Sequence, residues 1–258
     1  ISDGSHRAKA FVSKKLLESV IEFGKKRKLE FVDGPVGFSN MDKAGLLIEG
    51  YEELNTMITW YHYPYQKEHL KKLGFSKLAE WVEYKIKIFS AEDAPEKVKK
   101  FSKIIQQRYE LKVLNFKSRK EIIPYVDKMF ELLNVTYSNL QTYVTIKQYQ
   151  IDFYKEKFIK YIHPDFIKCC LDKDDNLIAF LITMPSFSRA LKKINGKMGL
   201  MGYLRLFKAQ HFNDRVSLYL IGVDPKYQSK GVTAVIFNEL QNTFNKRGIV
   251  EVETNPEL

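Results

Sequence analysis

Hydrophobic positions recur along this chain with two different periods. Between residues 8 and 27, Val12, Leu16, Val20 and Phe23 recur every three or four positions, with Leu17 and Ile21 widening the stripe. That spacing predicts a helix with one apolar face. Lys25, Lys26, Arg27 and Lys28 crowd its C-terminal end, where cations complement the helix dipole. Residues 29–33 read as a short strand. Periodicity then fades over 34–65, a stretch holding Gly34, Gly37, Gly45 and Gly50 and the aromatics Tyr51, Trp60, Tyr61, Tyr63 and Tyr65. It predicts a long loop that either lines a pocket or covers a sheet. A short helix over 66–75 ends at Gly74, a capping glycine followed by the apolar Phe75. Alternation over 78–88 predicts a strand.

A charged stretch around Pro95 separates this part from the next. Val98, Phe101, Ile104 and Ile105 give a helix over 96–107 its apolar face. A strand at 111–116 follows, then a helix over 120–134 with Ser118 as its cap. A second helix, 145–162, carries Tyr149, Phe153, Phe158 and Tyr161 and ends at His163-Pro164. Strands at 166–171 and 177–184 make a hairpin around the acidic turn 172–176. Residues 185–214 read as a loop with a helix at 202–210.

The most informative stretch comes last. Val216 to Val223 is an apolar run that reads as a buried strand, ended by Pro225. A compact polar turn leads into a helix over 232–246, closed by Arg247-Gly248, and a strand over 249–254 follows. A strand feeding a turn into a helix N-terminus leaves several backbone N–H groups unpaired and pointing one way, which suits phosphate. Lys226 and Lys230 add positive charge, and Gly231 permits a backbone conformation that a side chain obstructs. An ordinary surface turn is the competing reading.

Within that turn, Gln228-Ser229-Lys230-Gly231-Val232-Thr233 resembles the Gln/Arg-x-x-Gly-x-Gly/Ala acyl-CoA motif of the GNAT N-acetyltransferase superfamily. The resemblance implies acetyl-CoA or another acyl-CoA as co-substrate. It implies that Leu220, Ile221, Gly222 and Val223 pair with the pantetheine arm. The backbone of Gln228, Ser229, Lys230, Gly231, Val232 and Thr233 would hold the pyrophosphate, and Asn255 would touch the arm. Thr233 departs from the usual Gly or Ala. The resemblance is weaker over residues 8–89, which look like the second half of another such unit, but Leu70 stands where many members have a tyrosine acid, and leucine cannot donate a proton. The implied fold class is α/β of the α+β type, with two GNAT-like units, each a mixed, largely antiparallel sheet flanked by helices. The implied division is 1–90, a partial or degenerate unit; 91–109, a linker helix; and 110–258, the acyl-CoA-binding unit. The closing helix and strand of that last unit, with the tyrosine acid, are expected beyond residue 258.

Two carboxylates, Glu251 and Glu253, share one face of the last strand and are the candidate bases. The alternative leaves them facing solvent or lysines. A backbone N–H from 220–223 is the candidate oxyanion donor. His62, His163 and His211 are further candidate bases without partners in sequence.

Composition narrows the classes. The chain has 258 residues, 45% of them hydrophobic, enough for a substantial core. No apolar stretch approaches the roughly 20 residues that cross a bilayer, and the start is polar, so neither a membrane partner nor a signal peptide is expected. The formal charge of +11 suits an anionic ligand, but the lysines are dispersed and mixed with acids, which does not favour nucleic acid. Cys169 and Cys170 are adjacent and cannot readily pair, and no Cys-x-x-Cys exists, so the expectation is a reduced, cytoplasmic protein without a metal. Three functions stay open: an N-acyltransferase acting on an amine acceptor, a tRNA-dependent aminoacyl transferase of tandem type, and a non-catalytic acyl-CoA- or protein-binding module. A homodimer stays open as well.

Overall fold

The computed structural model describes residues 3–257 except 40, 91, 94, 141, 142 and 159–161, with side chains from residue 8. Its contacts divide the chain into two units that part between Trp81 and Val82.

In the first unit, the 3.6-residue stripe forms α1 (Asp3–Lys26), and the capping glycine closes α2 (Pro64–Lys72). Gly74 adopts φ +85°, and the Phe75 N–H turns back to the Leu70 carbonyl at 3.1 Å. That is the bond pattern by which glycine ends a helix. Between these helices the chain is irregular, as its glycines and prolines predict. The strand expected over 29–33 does not form, because nothing pairs with it. Among the described residues this unit holds no strand, so the expected second sheet is absent there.

The second unit contains one six-stranded sheet. Its elements are β1 (Lys85–Lys87), α3 (Glu96–Arg108), β2 (Lys112–Asn115), α4 (Arg119–Tyr137), α5 (Gln148–Phe158), β3 (Ile167–Leu171), β4 (Leu177–Pro185), α6 (Ser188–Ile194), α7 (Leu200–His211), β5 (Arg215–Val223), α8 (Val232–Arg247) and β6 (Glu251–Glu253). The sheet order is β1-β6-β5-β4-β3-β2. Every pair is antiparallel except β5 with β6.

Four elements differ from the sequence reading. The strand expected over 78–88 shortens to β1 and a bridge from Val82 to Glu257. This strand joins the second unit's sheet rather than one of its own. The linker helix is α3, which packs along α8 and buries Ile105 in the core. The loop at 185–214 contains two helices, not one. Ser118 sits at the N-cap of α4, yet its hydroxyl donates to Glu121 at 3.2 Å rather than receiving a backbone N–H. For α5, positions 159–161, including Tyr161, lie outside the described residues.

One core cluster joins the α3 and α8 face to the sheet. Val232, Val235, Ile236, Leu240 and Phe244 of α8 meet Cys170, Leu181, Val216 and Leu218. Helix α4 packs against β4 and β5 outside that cluster. Cys169 and Cys170 are buried, free thiols. Gly222 closes the packing on β5. A Cβ there would come within 2.5 Å of the Phe180 ring, which is fully buried and has nowhere to move. Gly222→Ala is therefore expected to lower unfolding free energy by about 1–3 kcal/mol, measured by chemical denaturation.

Candidate functional site

The site forms where two strands part. Strands β5 and β6 run parallel for three residue pairs, Arg215 with Glu251, Val216 with Val252 and Ser217 with Glu253. Strand β5 then continues to Val223 without β6 beside it. Opposite, β4 slips by one residue between Ile182 and Thr183, so Tyr219 becomes the extra residue of a bulge. A bulge twists its strand and disrupts the ladder locally. From Tyr219 onward β5 has one paired edge and one open edge.

The open edge is identifiable group by group. Asp224 N–H donates to the Ile178 carbonyl at 2.8 Å. By the alternation of an antiparallel ladder, Gly222 faces β4, and Ile221 and Val223 face outward. Side chains confirm this. Tyr137 Oη donates to the Ile221 carbonyl at 2.9 Å, Thr136 Oγ1 to the Val223 carbonyl at 3.2 Å, and Gln228 Nε2 to that same carbonyl at 3.1 Å. Asn255 Nδ2 reaches across the gap to the Tyr219 carbonyl at 2.8 Å, while its Oδ1 is buried without a partner.

The turn after β5 gathers unpaired donors. Asp224 holds its first part, accepting the Lys226 N–H at 2.8 Å, and the Tyr227 and Gln228 N–H groups close on its carbonyl. Ser229 and Gly231 then adopt left-handed φ of 59° and 80°. The N–H groups of Ser229, Gly231, Val232 and Thr233 have no acceptor among the described residues. Successive N–H groups in such a turn, at the N-terminus of α8, form a concave nest of the kind that suits an anion. Lys230 extends from it over the Tyr109 and Tyr227 rings. Gly231 has a second duty: a Cβ there would lie 2.9 Å from the Phe101 ring of α3.

The two candidate bases differ. Glu251 is paired with Arg215. Glu253 is buried and accepts a single hydrogen bond, from Ser186 Oγ at 2.9 Å, at the last pair before the strands separate. Tyr137 is the residue that sequence reading missed. It stands 84 positions from Ile221, so no local spacing signals their contact. Burial pushes its phenol above the usual tyrosine value, so it stays protonated and donates. The histidines are elsewhere. His62 accepts the Leu47 N–H in the first unit, and His211 stacks on Phe207. His163 contacts Arg247, at the end of α8 opposite the nest. An open cavity of about 650 Å³ lies at that same end, lined by Lys117, Lys168, Glu239 and Lys246, away from the strand gap.

The model of the family described as "Acetyltransferase (GNAT) family" matches residues 127–257, the portion that contains the gap, the nest and both glutamates. Protein YghO of Escherichia coli (strain K12) is 22% identical over 232 residues, spanning 86% of this chain and 57% of that protein. The chain thus spans little more than half of that relative's length. Among solved structures, L-PGS from Bacillus licheniformis is 10% identical with a TM-score of 0.36, over 74% of this chain and 51% of that chain. A glucosamine N-acetyltransferase region of a fungal multi-domain GH3 beta-N-acetylglucosaminidase is 11% identical with a TM-score of 0.45, over 75% and 20%.

Asn255 joins the diverging strands through one hydrogen bond. Asn255→Ala is expected to cost about 0.5–1.5 kcal/mol, the ordinary worth of such a bond, read from denaturation midpoints.

Proposed function

This chain belongs to the acetyltransferase (GNAT) family, and we propose that it is an N-acyltransferase that moves an acetyl or other acyl group from acyl-CoA to an amine acceptor. The observation that carries this reading is the continuity of the open edge of β5 with a nest of four unpaired N–H groups. A ligand with a phosphate at one end and an amide-bearing arm at the other fits that shape. The residues present suit acyl-CoA. Ser229, Gly231, Val232 and Thr233 would receive the pyrophosphate through their N–H groups. Ile221 and Val223 offer outward N–H groups to the arm, and the unpartnered Asn255 Oδ1 offers an acceptor.

When bound, acyl-CoA supplies the activated acyl group as a thioester. The chain's tasks are to orient that carbonyl, accept a proton from the amine and return one to the leaving sulfur. Glu253 is the base we assign, because Arg215 already neutralises Glu251. Tyr137 is the donor we assign, because its hydroxyl stands on the open edge of β5, at the Ile221 carbonyl. The outward N–H groups of β5 stabilise negative charge developing on the carbonyl oxygen. Overall a C–N bond forms, the C–S bond breaks, one proton passes from nitrogen to Glu253 and another from Tyr137 to sulfur, and Glu253 then loses its proton to solvent while Tyr137 regains one from it.

We also read 64–88 as closing elements of a GNAT-type unit. A helix ending at Gly74-Phe75 leads to β1, whose antiparallel pairing with β6 supports this reading. A non-catalytic binding module is the second reading, favoured by the Ile221 and Val223 carbonyls already being satisfied from α4. We place the protein in the cytoplasm.

Thiol release from acetyl-CoA in the presence of a panel of amines separates these readings. The enzyme releases thiol, and the module binds without release. Ser229→Glu and Thr233→Glu place carboxylates at exposed positions of the nest and should weaken acetyl-CoA binding about tenfold or more by calorimetry. Unchanged affinity would argue against the pyrophosphate assignment. Gly231→Glu is a poorer test, because any side chain there meets Phe101 whether or not a ligand binds.

A further inference from the structure

Strands β4 and β5 are antiparallel neighbours, and such neighbours need only a short turn between them. Here the connection from Pro185 to Arg215 is instead a pair of helices, α6 and α7. Arg205 of α7 ties them together, donating to the Lys193 carbonyl at 2.7 Å. The connection is rooted beside the candidate base, through the bonds of Asn213 to Ser186 and of Ser186 to Glu253.

Helix α7 is apolar on both sides. Its inner side is Gly202, Leu206 and Ala209, spaced by four and three residues; Gly202 is buried, and a Cβ there would crowd Met198. The opposite side carries Leu200, Leu204 and Phe207, flanked by Tyr203. Leu200 is 77% exposed and Phe207 57%, and Phe212 beyond the helix is 74% exposed. An amphipathic helix normally turns polar residues outward, so a contiguous outward apolar face marks an interaction surface.

The charges identify its occupant. From Ser186 to Asn213 there is no Asp or Glu, while Arg189, Lys192, Lys193, Lys197, Arg205 and Lys208 are all cationic. Elsewhere the chain mixes acids among its lysines. Two copies meeting on this face would bring like charges together, which disfavours self-association. An apolar strip of leucine and aromatic residues, on a connection whose own charged residues are all cations and of which, among the described residues, Arg189 alone meets an acid, Asp214 just beyond it, matches segments that lie in a membrane interface. At 12 residues, α7 is roughly 18 Å long, suited to lying flat and too short to span. No helix among the described residues is long and apolar enough to cross a membrane.

We propose that α6 and α7 dock the protein on an anionic lipid surface, with Leu200, Leu204 and Phe207 entering the headgroup boundary and the surrounding lysines meeting acidic headgroups. This departs from the sequence-based expectation of no membrane partner. It does not depend on the acyltransfer chemistry.

The test is co-flotation of the whole chain with vesicles of phosphatidylcholine alone or with roughly one quarter phosphatidylglycerol. Binding is expected to the anionic vesicles only, weakening with added salt. Leu204→Glu combined with Phe207→Glu should reduce it about tenfold or more, with circular dichroism unchanged. Lys14→Gln with Lys15→Gln, which removes two cations elsewhere, should leave it intact. Failure of the unaltered chain to bind anionic vesicles would overturn the proposal. Equal binding by the Leu204/Phe207 variant would overturn it too, by assigning adhesion to general positive charge. Light scattering that shows a dimer abolished by the same variant would assign the face to a second copy and also overturn it.

Discussion

The structure depends on an interrupted ladder. Backbone N–H and C=O groups in a protein interior have to be paired, and a strand that loses its neighbour exposes a row of them. Strand β5 keeps β4 throughout but holds β6 for only three pairs. The rest of the unit is arranged around satisfying, or reserving, what that leaves. Helix α4 brings Thr136 and Tyr137 to two outward carbonyls, and Asn255 covers a third from the far side of the gap. The outward N–H groups have no such cover. A strand edge with its acceptors filled and its donors open, leading to a helix N-terminus with four more open donors, has the shape we propose for an elongated anionic ligand with acceptors along its length.

The far side of the gap is held by chain from well upstream. Strand β1 pairs with all three residues of β6, and the pairing extends through Tyr84 with Thr254 and Val82 with Glu257. Without it β6 would have only its short parallel contact with β5. Residues before the family-matched region therefore complete its sheet, and the contacts part the chain between Trp81 and Val82.

Local chemistry was readable where it is local. The turn from Pro225 to Thr233, the hairpin at 172–176 and the capping glycines Gly74 and Gly248 were legible because proline, glycine and aspartate impose their geometry on adjacent residues. The shared face of Glu251 and Glu253 followed from strand alternation. Contacts between distant segments were not legible. Tyr137 at Ile221, Tyr84 at Thr254 and Phe101 at Gly231 join positions whose spacing carries no period. The difference between the two glutamates was hidden for the same reason, since Arg215 and Ser186 arrive from other elements. Helix α7 resisted a simple reading because an apolar residue on its outer side gives the same signal as one on its inner side.

The central claim is that one continuous track, from the open edge of β5 to the nest at α8, receives acyl-CoA. Diffraction from crystals soaked with CoA tests it most directly. The predicted result is density with its pyrophosphate against the N–H groups of Ser229, Gly231, Val232 and Thr233 and its arm along Ile221 and Val223. Density elsewhere, or an empty track at saturating CoA in crystals where no neighbouring molecule blocks it, would contradict the claim.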